Sequence, residues 1–327
     1  MTTDPAISFD DILKAAQRLA GHAVRTPLLE NSTLSDKLGR RVLIKFEGAQ
    51  HTGSFKFRGA FNRISVIEPS ARAAGVVAWS SGNHAQGIAA AASMNGIPAT
   101  IVMPSDAPKI KVNNTRALGA DIIFYDRYTE SREEIAMALV NERGAILVPS
   151  YDDPYIIAGQ GTVGLEILQQ AEEIGAEVGA AIAPCGGGGL ISGLATAIKT
   201  QKPDALVYAA EPVGFDTTGR SLASETLAKN DPDARSICDA LQSPYPGSMT
   251  LPINKHLLAG GLAVSDEEVR TAVRFAFEKL KLVAEPGGSA GLAAALAGKI
   301  PANDGALAIV ISGANVDPDL YCDILSN

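Results

Sequence analysis

A lysine held between two phenylalanines is the first residue whose setting suggests chemistry. In Ser54-Phe55-Lys56-Phe57-Arg58-Gly59-Ala60 the apolar neighbours favour the neutral amine of Lys56. A neutral amine forms Schiff bases with carbonyls. The other reading of Lys56 is a surface lysine whose stem lies on apolar surface while its charge reaches water. Further on, Cys185-Gly186-Gly187-Gly188-Gly189-Leu190 sets four glycines between an apolar run and a helix-forming segment. Without β-carbons, successive N–H groups can converge on one anion, and the positive end of the following helix adds to them. That is a phosphate cradle, with a plain tight turn as the alternative. The loop lacks the Lys-Ser/Thr pair of an NTP-binding loop and the GxGxxG spacing of a dinucleotide loop.

Two further segments carry polar groups. Trp79-Ser80-Ser81-Gly82-Asn83-His84 offers two hydroxyls, an amide and the N–H groups of a helix start. These suit a carboxylate or a phenolate oxygen. Ser and Asn are also the usual N-caps, and a lone His84 also reads as a structural histidine. Ile311-Ser312-Gly313-Ala314-Asn315-Val316-Asp317 brings the Ser312 hydroxyl to the end of another apolar run, where a simple turn residue is the alternative.

The elements that position these groups follow from periodicity. Short β-branched runs at 41–47, 75–79, 99–103, 121–125, 145–148, 178–183, 206–210 and 306–311 predict strands. Several are apolar throughout, as in a parallel sheet covered on both faces. Helical stretches at 85–94, 110–118, 132–142, 190–200 and 267–280 alternate with them. The last opens with Ser265 and Glu268 in capping-box spacing. The alternation predicts an open α/β fold with right-handed crossovers, in which ligands sit at the carboxyl ends of the strands. The Asp-, Pro- and Ser-rich stretch 229–251 predicts a long loop bordering that site.

Composition narrows the function classes. With 327 residues, 46% hydrophobic and 20% charged, the chain has apolar surface for about two domains and is not disordered. A net charge of −8 without a basic run excludes nucleic acid and anionic membranes as partners. Cys185, Cys238 and Cys322 are too far apart for a disulfide framework or zinc cluster and point to a reducing, cytoplasmic setting. The first ten residues lack the basic and apolar regions of a signal peptide, and no apolar stretch is long enough to span a membrane.

Together these segments resemble the serine/threonine dehydratase and serine racemase family, pyridoxal-phosphate (PLP) enzymes of the tryptophan-synthase-β fold type. The match runs in order over nearly the whole chain: Arg25-Thr26-Pro27-Leu28, SFKFRGA, SSGNHAQG, Ala158-Gly159-Gln160-Gly161-Thr162, CGGGGL, Glu285-Pro286-Gly287-Gly288 and SGANVD. The resemblance implies PLP fold type II: two open, twisted, mostly parallel sheets flanked by helices. It implies a large domain of residues 1–65 and 153–327, a hinge at 66–74 and a small mobile domain at 75–152 that closes over the substrate. The chain ends soon after SGANVD, leaving no room for the regulatory domain of biosynthetic threonine deaminases. A homodimer is expected.

The resemblance also implies roles. Lys56 would join PLP as a Schiff base and then serve as the base at the substrate α-carbon. Gly186, Gly187, Gly188 and Gly189 would bind the phosphate, and Asn83 the phenolate oxygen. Phe55 would pack near the ring, and Ser312 would face the pyridine nitrogen. Ser81 takes the position of the second acid/base on the far face in racemases, where many threonine dehydratases carry Ala. Ser80, Gly82, Asn83 and His84 would surround the α-carboxylate. The β-hydroxyl would leave with a proton supplied through the cofactor phosphate, and the released aminoacrylate would hydrolyse to a 2-oxo acid and ammonia.

Metal-activated relatives use a Glu, a backbone carbonyl four residues on and an Asp six residues on. Here Glu211 and Phe215 fill the first two places, but Thr217 stands third and Asp216 comes one residue early. A Mg²⁺ or Mn²⁺ site through waters and a purely structural Glu211 both remain open. Another departure is Ala314, where relatives often have Gly. Arg132 aligns with a pocket-facing position of serine racemase. It is read either as the partner of a substrate's second carboxylate, favouring 3-hydroxyaspartate, or as a solvated helix-start arginine. Tyr151 is a second pocket-wall candidate. The small-molecule partner is then a β-hydroxy amino acid. The two leading readings are elimination to ammonia and racemisation on the same site. The rival from another class is a nucleotide-binding regulator that uses CGGGGL without covalent chemistry; Lys56 together with Ser312 argues against it.

Overall fold

Apolar runs too short for helices and flanked by Gly, Asp and Ser form ten strands in the computed structural model, which describes residues 6–107, 109–126, 128–224, 226–231 and 233–326. Residues 1–5 of the N-terminal segment read above lie outside the described part. The strands are β1 (Leu28–Glu30), β2 (Val42–Phe46), β3 (Val76–Trp79), β4 (Ala99–Pro104), β5 (Asp121–Tyr125), β6 (Ile146–Leu147), β7 (Val178–Pro184), β8 (Leu206–Pro212), β9 (Gly260–Val264) and β10 (Ala306–Ile311). They make a six-stranded sheet, β1-β2-β10-β7-β8-β9, and a four-stranded sheet, β5-β4-β3-β6. Every pairing is parallel except β1 with β2. All eight predicted strands are present; β1 and β9 extend the large sheet at its two edges.

The central strand β7 is buried along almost its whole length, and β10 and β4 along all of theirs. Helices cover both faces, as a parallel sheet requires. The alanine-rich helix Asn83–Met94 packs on the four-stranded sheet, and its chain of buried alanines allows close approach. The helix Lys56–Ser65 crosses the long helix Pro154–Glu173 where Gly59 faces Gly159; a β-carbon on Gly159 would sit 2.6 Å from Gly59 Cα. That contact fixes the helix that carries the lysine.

A buried ionic cluster fixes it a second time. The Arg58 guanidinium bonds Glu47 at 2.8 Å and Glu166 at 2.6 Å, and Lys45 bonds Glu166 at 2.6 Å and the Thr26 carbonyl at 2.7 Å. Two cations face two anions, so the charges within this cluster compensate one another. The predicted capping box forms: Ser265 and Glu268 cap each other's backbone at the start of the helix Asp266–Phe275. The 267–280 prediction is otherwise corrected at its end, where a π-helical turn, Ala276–Leu280, replaces the α-helix. No helix among the described residues is long and apolar enough to cross a membrane.

Candidate active site

Four strand ends converge on one cavity of about 410 Å³. β2 leads to the segment that carries Lys56, β3 to Ser80, β7 to the four glycines and β10 to Ser312. The cavity brings together Phe55, Lys56, residues 80–84, Arg132, Tyr151, residues 186–189 and Ser312. Glu211 and Phe215 do not line it. The 229–251 stretch borders it as predicted, through Asp239, Leu241, Ser243 and their neighbours.

Lys56 starts its helix without a side-chain cap, directly after Thr52 and Gly53 in left-handed conformations (φ 60° and 71°). Phe55 N–H donates to the Ser312 carbonyl at 3.1 Å, and Ser54 forms a bridge with Gly313. These bonds join the lysine segment to the Ser312 segment. The amine turns inward instead of to bulk water: Nζ donates to the Ser150 carbonyl at 2.7 Å and stands 5.2 Å from the Phe55 ring centre. Burial drives its pKa down to about 8, against the opposing pull of the Glu285 charge. A surface lysine is thereby ruled out.

The glycine loop fits a phosphate. Gly188 lies at φ 99° and N-caps the helix Gly189–Gln201, whose first-turn N–H groups have no acceptor within the helix. A β-carbon on Gly187 would strike the Tyr151 ring, and one on Gly189 would come within 3.0 Å of Tyr151 Cα. Thr250 Oγ1 donates to the Gly187 carbonyl at 2.6 Å, which anchors the loop and leaves the Gly188 N–H on the opposite side of that peptide. A dianion cradle, an amine of lowered pKa and the Ser312 hydroxyl in one cavity match the donors that pyridoxal phosphate requires.

The 80–84 segment departs from one reading. Gly82, not a serine or asparagine, is the N-cap of the helix Asn83–Met94, and no side chain caps that helix. Ser80 Oγ instead accepts from Gly82 N–H at 3.2 Å. The first-turn N–H groups therefore remain without a side-chain cap, at the cavity edge. His84 is buried, and its Nε2–H donates to the Val148 carbonyl at 2.9 Å. Burial and the nearby Lys56 charge push its pKa down to about 3, so the ring is neutral. Arg132 lines the cavity with Tyr151, but its side chain is 44% exposed and its Nε bonds Glu133 at 3.0 Å. Burial raises the Tyr151 phenol above its usual range.

Glu211, near the end of β8, is fully buried. Its two oxygens accept the N–H groups of Thr218 and Gly219, each at 2.8 Å, at the start of the helix Thr217–Ser224. Thr218 Oγ1 in turn meets Cys185 Sγ at 3.3 Å. Asp216 pairs with Arg220 at 3.2 Å. Among the described residues no group of three His, Cys, Asp or Glu side chains could hold an ion.

Two polar residues at the site carried no role in the sequence reading. Glu285 is buried, accepts from Asn83 Nδ2 at 2.7 Å, and is pushed up to about 8, chiefly by burial and then by Asp239. Asn315 Nδ2 donates to Asn83 Oδ1 at 2.8 Å. Both lie in motifs quoted above, Glu285-Pro286-Gly287-Gly288 and SGANVD, and that was their only signal.

Comparison with known proteins agrees with this chemistry. The family model described as "Pyridoxal-phosphate dependent enzyme" matches residues 19–313. The chain is 44% identical to an L-threo-3-hydroxyaspartate ammonia-lyase of a Pseudomonas species over 318 residues, 97% of this chain and 98% of that protein. It is 39% identical to the serine racemase of Schizosaccharomyces pombe over 319 residues, 98% and 97% of the two chains. The structure of maize serine racemase superposes with a TM-score of 0.92 at 37% identity, covering 98% of this chain and 97% of that one.

Proposed function

On the premise that this chain belongs to the family of pyridoxal-phosphate dependent enzymes, we propose that it is an ammonia-lyase that removes water from a β-hydroxy amino acid, preferably 3-hydroxyaspartate. The observation that carries the reading is the inward-turned Lys56 amine, lowered to about 8, in one cavity with an anion cradle and an uncapped helix start.

When bound, pyridoxal phosphate supplies an electron sink for the bonds of the substrate α-carbon. The N–H groups of residues 186–189 and the positive end of the helix Gly189–Gln201 take its phosphate. Phe55 walls the ring. Ser312 offers the ring nitrogen a hydroxyl, which does not fix a proton there as a carboxylate does. Ser80, Ser81, Gly82 and the first-turn N–H groups of Asn83 and His84 surround the substrate α-carboxylate. Lys56, whose amine is divided between its two forms near pH 8, takes the α-proton. The β-hydroxyl leaves as water with a proton. The released enamine takes up water and gives a 2-oxo acid and ammonia, with no net oxidation. Arg132, beside Tyr151, receives the second carboxylate of a dicarboxylic substrate in a bidentate pair.

Three further parts of the reading concern the whole protein. Residues 75–152 form a small domain that closes on the remainder through a hinge at 66–74; the four-stranded sheet within that span supports this. The enzyme is a cytoplasmic homodimer; the free thiols of Cys185, Cys238 and Cys322 suit a reducing compartment. Mg²⁺ or Mn²⁺ at Glu211 and the Phe215 carbonyl does not fit this donor set, since Thr217 stands in place of the third ligand, a carboxylate, and the Glu211 oxygens hold a helix start. No step is derived through a metal.

Ser81 on the cavity wall supports a second activity, racemisation, in which its hydroxyl returns a proton on the face opposite Lys56. One experiment tests both readings: the PLP-loaded enzyme is given L- and D-serine, L-threonine and the four 3-hydroxyaspartate stereoisomers, scoring keto acid, ammonia and inverted amino acid. Keto acid and ammonia in equal amounts, fastest from a hydroxyaspartate, support the lyase. Inversion alone would replace it with the racemase, and Ser81→Ala should then abolish that inversion.

A further inference from the structure

Near the end of β8 a helix start is seated on a buried carboxylate. The oxygens of Glu211 accept first-turn N–H groups of the helix Thr217–Ser224, Thr218 at one oxygen and Gly219 at the other, each at 2.8 Å. Close packing builds this seat. A β-carbon on Gly261 of β9 would strike Gly219 and stand 3.3 Å from Glu211 Oε2, so a glycine at 261 lets the helix come this near. Glu211, Thr217 and Thr218 are all buried. Thr218 Oγ1 also meets the Sγ of Cys185, the residue that opens the glycine loop, at 3.3 Å. The helix start is thereby joined to the loop that would hold the cofactor phosphate.

We propose that this helix start takes the place that a divalent cation holds in metal-activated relatives, and that Thr217, standing where their third ligand stands, decides the exchange. The cofactor-loaded protein then needs no Mg²⁺ or Mn²⁺. The reason is charge. A buried carboxylate requires a positive partner. The first-turn N–H groups carry the positive end of the helix dipole and turn it on Glu211. A cation on the same oxygens would face those N–H groups and be repelled by them. Mg²⁺ is held through one or two carboxylates. With Glu211 committed to the helix, another would have to come from position 217, where the Thr217 hydroxyl carries no charge. Asp216 does not replace it: its carboxylate pairs with Arg220 at 3.2 Å and is partly exposed. Elimination and racemisation are supported alike by this seat.

The test uses the PLP-loaded protein after dialysis against EDTA. Its readouts are the thermal midpoint and Mn²⁺ binding by electron paramagnetic resonance, neither of which depends on the substrate. The parent should bind no stoichiometric Mn²⁺, and added Mg²⁺ or Mn²⁺ should leave its midpoint where it was. Glu211→Gln removes the charge under the helix start and should lower the midpoint by about 2–4 °C, equally with and without Mg²⁺. Thr217→Asp sets a second carboxylate beside Glu211. Its midpoint should fall in EDTA and recover with Mn²⁺, with one ion bound per chain. A parent that is stabilised by either ion, or that binds one Mn²⁺ per chain and loses it in Glu211→Gln, overturns the proposal. So does a Glu211→Gln loss that is seen only when the ion is present. A folded Thr217→Asp protein that ignores Mn²⁺ overturns the role of Thr217. If that variant does not fold, the parent and Glu211→Gln decide the question between them.

Discussion

Below pH 8 the Lys56 ammonium is held in a setting that disfavours its charge, and the folded protein carries that cost. The sign follows from proton counting. Between about 8 and 10.5 the unfolded chain binds the proton and the folded chain does not, so stability rises with pH across that window. Lys56→Met removes the charge. The melting midpoint of the cofactor-free variant should exceed that of the parent below pH 8, and the gap should close toward 10.5. A gap that stays constant across the window would contradict the placement of the amine. At Arg132 the expectation concerns selectivity. A charge-assisted pair contributes roughly 1.5–3 kcal/mol, about one to two decades in specificity constant. Arg132→Ala should depress hydroxyaspartate turnover by that factor and leave serine and threonine turnover nearly unchanged; equal loss on all substrates would remove the arginine from the second carboxylate. Lys56 stood out locally, as a lysine between two phenylalanines, whereas Arg132 stood out only through the family resemblance, since an arginine at a helix start reads locally as a solvated charge. The places of Glu285 and Asn315 beside the cavity were not legible. Their partner Asn83 is more than 200 residues away, and only the fold brings the three together.

At the scale of elements, the glycine loop works only if Tyr151 can lie against it. Gly187→Ala would drive a methyl group into the Tyr151 ring. Overpacking of this kind costs about 1–3 kcal/mol, so PLP binding should weaken about tenfold or more, measured by equilibrium titration. Unchanged affinity would mean that the loop is a turn and not a cradle. The parallel core strands were readable from their continuous apolar runs. β1 was not, since three residues give no period, and β9 opens with Gly260-Gly261, which reads as a turn. The π-helical turn after Phe275 carries no sequence period of its own. Gly82 takes the N-cap although two serines precede it and Asn83 follows, and with no side-chain cap the first-turn N–H groups stay open at the cavity edge.

Across the whole molecule, the cavity lies between the two sheets, and one ion pair spans its mouth. Lys111, on the helix after β4, meets Asp239, from the long loop of the other half, at 2.8 Å. The alternation of strands and helices made the α/β architecture legible; the meeting of the halves was not, because it depends on contacts that no local pattern encodes. In the proposed reaction all of the catalytic chemistry passes through a single amine, that of Lys56. This is tested most directly by loading the protein with pyridoxal phosphate, reducing with borohydride, digesting and mapping the peptides by mass. A pyridoxyl mass is expected on Lys56 alone, with loss of turnover that dialysis against fresh cofactor does not restore. A label on another lysine, or full activity after reduction, would contradict it.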